Sequence, residues 1–311
     1  MKINFLLILF MGFLAACGGS QDTAEVAEEQ PAEAEAESRY SYTDSFEDGD
    51  PANLDIVNEW MSSLVNGNYD AAFDLLADSV YLILADGMEV NAPKDSIESM
   101  IMNMMSGIPS IEVNQLAAIS SRSTEDGNNW VASYTWEKYG EENALYHEVY
   151  GIVNGKIRTV YQYRQVPSEL DMLEEKEDGD YYYSGTWESL GDKNMAAFNE
   201  WVDLFRDQNV EAGADLWTDS VTVIFSDGNH FTGTRDSLIV RASEYASNAK
   251  DTDPVAVSSF KSIPQDTEWL FSWYTTTVDG QRVAMHEAWV VEDGKFAFVR
   301  QFSRPVPDSQ D

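Results

Sequence analysis

Cysteine is nearly absent. Cys17 is the only one in 311 residues, so no disulfide can form within the chain. Histidine is scarce too, with three copies. Basic residues are few: 19 Lys and Arg stand against 55 Asp and Glu, for a formal net charge of −36. A chain with this balance offers no basic patch, which argues against nucleic acid as a partner. Gly-x-Ser-x-Gly, a Gly-Lys-Ser/Thr loop and Gly-x-Gly-x-x-Gly are all missing, and with them the sequence signals of serine hydrolases, P-loop proteins and dinucleotide binders. Long apolar runs are missing as well. The stretch from Ile3 to Leu14 falls short of the roughly 20 residues of a membrane span.

That short stretch has another use. Lys2, an apolar core and Leu14-Ala15-Ala16-Cys17 have the order of a secretory signal with small residues before the cut. The segment resembles the lipobox of bacterial lipoproteins, which implies cleavage after residue 16 and acylation of Cys17. Residues 1–16 are therefore read as a signal peptide. Residues 17–38, rich in Ala and Glu and without an aromatic residue, cannot bury enough apolar surface to order themselves and read as an acidic tether. The expected location is the bacterial cell envelope, lipid-anchored in the outer membrane, on its periplasmic face or at the cell surface.

The remainder is a repeat. At an offset of 141, Asn58-Glu59-Trp60 falls on Asn199-Glu200-Trp201 and Asp78-Ser79-Val80 on Asp219-Ser220-Val221. At an offset of 139, Trp130 falls on Trp269, His147-Glu148 on His286-Glu287, and Gln162 on Gln301. A unit this long suits a duplicated globular domain, not a solenoid. The expected domains are 39–167 and 180–311, joined by a charged linker at 168–179. Within the first, Leu54, Val57, Trp60 and Leu64 keep helical spacing, and a second helix is expected from Tyr69 to Leu76. Two strands around Asp86-Gly87 follow, then a helix opened by a capping box at Asp95–Glu98. Strands are expected at 111–121, 130–137, 147–153 and 156–164. Helices first and strands last predict an α+β fold, with helices on one face of an antiparallel sheet.

Helix-one Trp60 and Trp201, the entries "LADSV" and "LWTDSV", and the repeated His…Gly-Lys phrase make each unit resemble the NTF2-like superfamily, in its SnoaL-like branch. The resemblance implies two tandem cones, each a curved antiparallel sheet wrapped on helices around a pocket, and pairing of the two within the chain. In the isomerases of that superfamily an acidic base lies on the first strand. Ile83 and Ile224 hold that place here, so the usual carboxylate is expected to be missing. Asp86 and Asp227 read as turn residues before Gly. His147 and His286, each expected to open a strand, are the catalytic candidates. Glu148 and Glu287 fall on the opposite face of their strands. The pocket candidates are Trp60, Trp130, Tyr134, Trp201, Trp269 and Trp273. No metal or cofactor is expected, since no third ligand stands near either His-Glu pair. The sequence thus predicts a membrane-anchored binding protein for a small apolar or amphipathic molecule. The alternatives are a scaffold that docks an envelope protein through its sheets, and an isomerase, cyclase or dehydratase working through a pocket histidine.

Overall fold

The computed structural model describes residues 46–108, 110–172, 186–278 and 280–306. Cys17, the signal and the tether lie outside the described residues, as does most of the expected linker. The described residues belong to one compact unit.

The N-terminal half begins with β1 (Phe46–Asp48), α1 (Ala52–Val65) and α2 (Tyr69–Asp74). It continues with the hairpin β2 (Leu76–Ile83) and β3 (Glu89–Pro93), then α3 (Lys94–Ser106). Four long strands end it: β4 (Ile111–Ser123), β5 (Asn129–Tyr139), β6 (Glu142–Val153) and β7 (Lys156–Gln165). A short helix, α4 (Glu169–Met172), occupies the first residues expected as linker. The C-terminal half repeats the order with β8 (Trp187–Ser189), α5 (Met195–Arg206), a 3-10 turn at Val210–Leu216, β9 (Trp217–Ile224), β10 (His230–Thr234) and α6 (Arg235–Asn248). It closes with β11 (Lys250–Ser262), β12 (Thr267–Val278), β13 (Gln281–Glu292) and β14 (Lys295–Pro305). The fold is α+β, as the grouping of helical and strand periods predicts.

Among the described residues the strands form one sheet with the order β1-β4-β5-β6-β7-β14-β13-β12-β11-β8. Pairing along this path is antiparallel. Each early hairpin adds a parallel pairing at the centre, β2 on β7 and β9 on β14. The turn residues Asp86 and Asp227 accept backbone N–H bonds from Met88 and Asn229, both at 2.9 Å, as the Asp-Gly signal predicts. The tips of these turns touch the opposite half. Gly87 has φ +88°, and a Cβ there would meet the Pro305 carbonyl at 3.0 Å. Gly228 has φ +85°, and a Cβ there would meet that of Pro167 at 2.9 Å. Both positions need glycine for the turn and for the approach.

Two expectations fail locally. No capping box forms at Asp95: α3 starts one residue earlier behind Pro93, so Asp95 sits in the first turn, where its charge faces the helix dipole. In the other half Thr234 stands at the place of Pro93 and caps Ser237 N–H at 3.4 Å. In addition, β6 begins at Glu142 and not at His147, because Gly140 (φ +64°) makes a tight reversal that carries the ladder back to Tyr139. His147 therefore lies mid-strand.

Three apolar clusters hold the molecule. One fills the N-terminal interior around Val57, Trp60, Phe73, Ile97 and Tyr150. One fills the C-terminal interior around Phe198, Trp201, Trp217, Leu270, Trp289 and Phe296. The third draws on both halves, with Ala117, Ile119, Tyr134, Leu145 and Tyr163 against Phe260, Trp269, Phe271, Ala288 and Phe302. This third cluster is the seam between the outer faces of β4–β7 and β11–β14. Each large side chain so buried contributes about 2–3 kcal/mol.

Candidate functional site

The repeated His-Glu phrase splits across the sheet, since neighbours on a strand point to opposite faces. The histidines go to the seam. His147 and His286 are fully buried, and their rings stack with centroids 3.7 Å apart. Their partners are exchanged between halves. The Tyr134 hydroxyl donates to Nε2 of His286 at 2.8 Å, and the Trp273 indole N–H donates to Nε2 of His147 at 3.1 Å. Nδ1 of His286 donates to the Ser272 carbonyl at 3.1 Å, which fixes the tautomer, because a carbonyl only accepts. Nδ1 of His147 faces the equivalent Ser133 carbonyl just short of full hydrogen-bond geometry. Burial pushes the His147 pKa down to about 3; burial and then the neighbouring His147 push that of His286 well below the usual histidine range. Both rings are neutral at pH 7 and serve as acceptors in the seam.

The glutamates go inward, and here the expected loss of the carboxylate is overturned. Ser133, Glu148 and Gln162 form one cross-strand row in the N-terminal half, and Ser272, Glu287 and Gln301 form its copy. Each interior therefore holds a buried acid, supplied by β6 or β13 and not by the first strand of the hairpin. The signal in the sequence was the repetition of Ser and Gln together with the Glu. Alternation assigns residues to two faces, but it does not say which face is inside.

The two interiors differ in chemistry. In the N-terminal half, Glu148 accepts from the Tyr150 hydroxyl at 2.5 Å and from Gln162 Nε2 at 3.0 Å. A second acid, Glu137, accepts from the Thr135 hydroxyl at 2.8 Å and from Tyr139. Burial and then the charge of Glu148 push the Glu137 pKa up to about 7, and burial also raises that of Glu148. In the C-terminal half Thr276 stands at the place of Glu137, and Glu287 is the single acid of its row. Glu287 accepts from the Tyr274 hydroxyl at 2.9 Å and from Gln301 Nε2 at 2.7 Å. Burial raises its pKa, while Gln301, Tyr274, Ser272 and Trp289 favour its charged form.

Glu287 lines a cavity of about 370 Å³. The walls are mainly aromatic: Phe198, Trp201 and Phe205 from α5, Trp217 and Phe231 from the hairpin, and Tyr274 and Trp289 from the sheet. Arg241, Glu244 and Tyr245 of α6 also line it, with Arg241 and Glu244 exposed to solvent. A volume of this size is within the range of small-molecule sites, ~300–1,000 Å³.

Of the six pocket candidates, Trp201 lines this cavity. Trp60, its counterpart, is part of the N-terminal interior cluster. Tyr134, Trp269 and Trp273 belong to the seam. Trp130 stacks on Tyr161 and borders a surface groove with Ser79, Tyr81, Asn91 and Arg158. Neither histidine candidate is among the residues lining the cavity. Among the described residues no cluster of three or more His, Cys, Asp or Glu has the arrangement of a metal site. No helix among them is long and apolar enough to cross a membrane.

No family model and no curated protein matches the chain. Solved structures do show similarity. An NTF2-like protein of unknown function from Cytophaga hutchinsonii is 18% identical over 36% of this chain and 89% of its own, with a TM-score of 0.30. An NTF2-like protein of unknown function from Burkholderia xenovorans is 16% identical over 41% of this chain and 96% of its own, with a TM-score of 0.31. An LEH-like epoxide hydrolase from M. tuberculosis is 14% identical over 37% of this chain and 83% of its own, with a TM-score of 0.30.

Proposed function

We propose that the chain is an envelope lipoprotein of two paired NTF2-like domains, and that the C-terminal domain binds a small molecule with an apolar body and one polar group. The cavity beside Glu287 is the observation that carries the reading: an aromatic hollow of about 370 Å³ with a buried carboxylate, a tyrosine hydroxyl and a glutamine amide converging on one spot. Apolar walls with a few placed polar groups suit binding and orientation. The reading as an isomerase, cyclase or dehydratase through a pocket histidine draws no support from this geometry, because His147 and His286 are occupied with each other and with the seam.

Mass spectrometry under non-denaturing conditions tests the binding. Protein purified from its own cells is expected to carry a small-molecule adduct that an Ala242→Trp variant, with the cavity filled, lacks. Equal adducts on both proteins would sink the assignment to this cavity. The anchor rests on the sequence alone. Labelled palmitate is expected to enter the chain and to be lost with Cys17→Ser; label retained in that variant would refute it.

A further inference from the structure

The chemistry around Glu287 narrows the ligand class, resting on the reading of this cavity as a binding site. Glu287 is 6% exposed, so its carboxylate has little water to solvate it. The Tyr274 hydroxyl and Gln301 amide donate to it, and Ser272 and Trp289 likewise favour its charged form. The Tyr274 and Gln301 donors both reach the same oxygen, Oε1, and burial raises the Glu287 pKa above the usual carboxylate range, so a positive charge beside the group is what would hold it ionised. Yet among the described residues no lysine, arginine or histidine pairs with Glu287. Arg282 is engaged by Asp253, Arg300 by Asp171 and Gln165, and Arg241 lies over the Phe231 ring. A buried anion without a cation is costly, and a partner that brings the positive charge relieves that cost. The walls are suited to such a partner, since Trp and Phe ring faces attract ammonium groups. The chain as a whole, at −36, draws cations toward it.

We infer that the cavity takes an organic cation, an ammonium or quaternary ammonium group attached to a compact apolar body, with the positive charge against Glu287 and the body among Trp201, Trp217 and Trp289. The N-terminal interior does not share this design, because its two acids, Glu137 and Glu148, hold each other's charge in check.

Two isosteres and a larger anion test the assignment on the full chain: phenyltrimethylammonium, its neutral isostere tert-butylbenzene, and 4-tert-butylbenzoate, each titrated by calorimetry. The cation is expected to bind at least tenfold more tightly than the neutral probe, with the anion excluded, and Ala242→Trp to abolish binding of both. In Glu287→Gln the preference for the cation is expected to vanish while tert-butylbenzene still binds. Should that variant fail to fold, the wild-type comparison decides alone. Equal or tighter binding of tert-butylbenzene to the wild type overturns the cation assignment and leaves the cavity a binding site. Binding of none of the three overturns both.

Discussion

The N-terminal and C-terminal halves share a plan and differ in what they enclose. Along equivalent positions, Val57, Leu64, Leu76, Val90 and Met104 stand where the C-terminal half has Phe198, Phe205, Trp217, Phe231 and Tyr245. Glu137 stands opposite Thr276, and Ile101 opposite Ala242. One interior is aliphatic at these five positions, although Trp60, Phe73 and Tyr150 also line it, and it carries two acids that share a raised proton affinity. The other is aromatic, carries one acid in its row, and leaves room beside it. The seam, in contrast, keeps the stacked histidines and the exchange of donors onto them, while its surroundings differ, with Ala132 at the place of Phe271 and Trp130 at a surface groove where Trp269 is buried in the seam. The shared order of elements thus keeps the two histidines at the meeting of the halves, while the contents of the two interiors differ.

The largest effect should come from removing what the halves share. His147→Ala with His286→Ala opens a cavity in the seam and removes the acceptors that the Tyr134 hydroxyl and the Trp273 N–H bond to. A loss of about 4 kcal/mol or more is expected in urea denaturation, from the cavity and the two lost hydrogen bonds together. The wild type should also lose stability in acid. The unfolded chain takes up protons below about pH 6.5, whereas folded His147 does so only near pH 3, so stability falls as pH drops through that window. The double variant should lack this limb, and an unchanged acid limb would show that other groups cause it.

A smaller effect should follow from making the N-terminal interior resemble its partner. Glu137→Thr removes one acid of the pair. The folded pKa of Glu137 is raised, so its favourable contribution is full below the unfolded value of about 4.5 and is lost as pH rises through about 7. The variant should therefore gain on the wild type across that interval, by on the order of 1–3 kcal/mol. Parallel stability curves between pH 4.5 and 7 would contradict the paired-acid account.

The smallest effect should come from the reverse exchange. Ala242→Ile places the N-terminal side chain in the C-terminal cavity. A stabilisation under about 1 kcal/mol is expected from filling apolar space, together with weaker binding of phenyltrimethylammonium. A gain in affinity would mean that the probe sits elsewhere.

Much of this was legible in the chain. The constant offsets of 141 and 139 pointed to the order of elements that recurs in the second half, and the switch from helical to alternating spacing ordered the elements within each half. The Asp-Gly turns formed where they were expected. The site was harder to read, for two physical reasons. A strand's alternation assigns His147 and Glu148 to opposite faces, but which face is interior depends on what the sheet packs against. Here both faces are covered, one by its own helices and the other by the second half of the chain. Moreover, the contacts that place the histidines run from Tyr134 to His286 and from Trp273 to His147, across more than a hundred residues of sequence. No local pattern encodes them. The repeated Ser133–Glu148–Gln162 set carried the better signal, and its place in neighbouring strands became meaningful once the register was known.

The Tyr134–Trp273 pair has a further consequence. In an assembly of two identical chains, any residue beside the symmetry axis must face another copy of itself, and a substitution there strikes twice. A single polypeptide carrying both halves escapes that rule. A phenol can sit across from an indole, and either half can be altered while the other keeps its inherited form. One copy is thereby free to specialise while its sibling goes on supporting it.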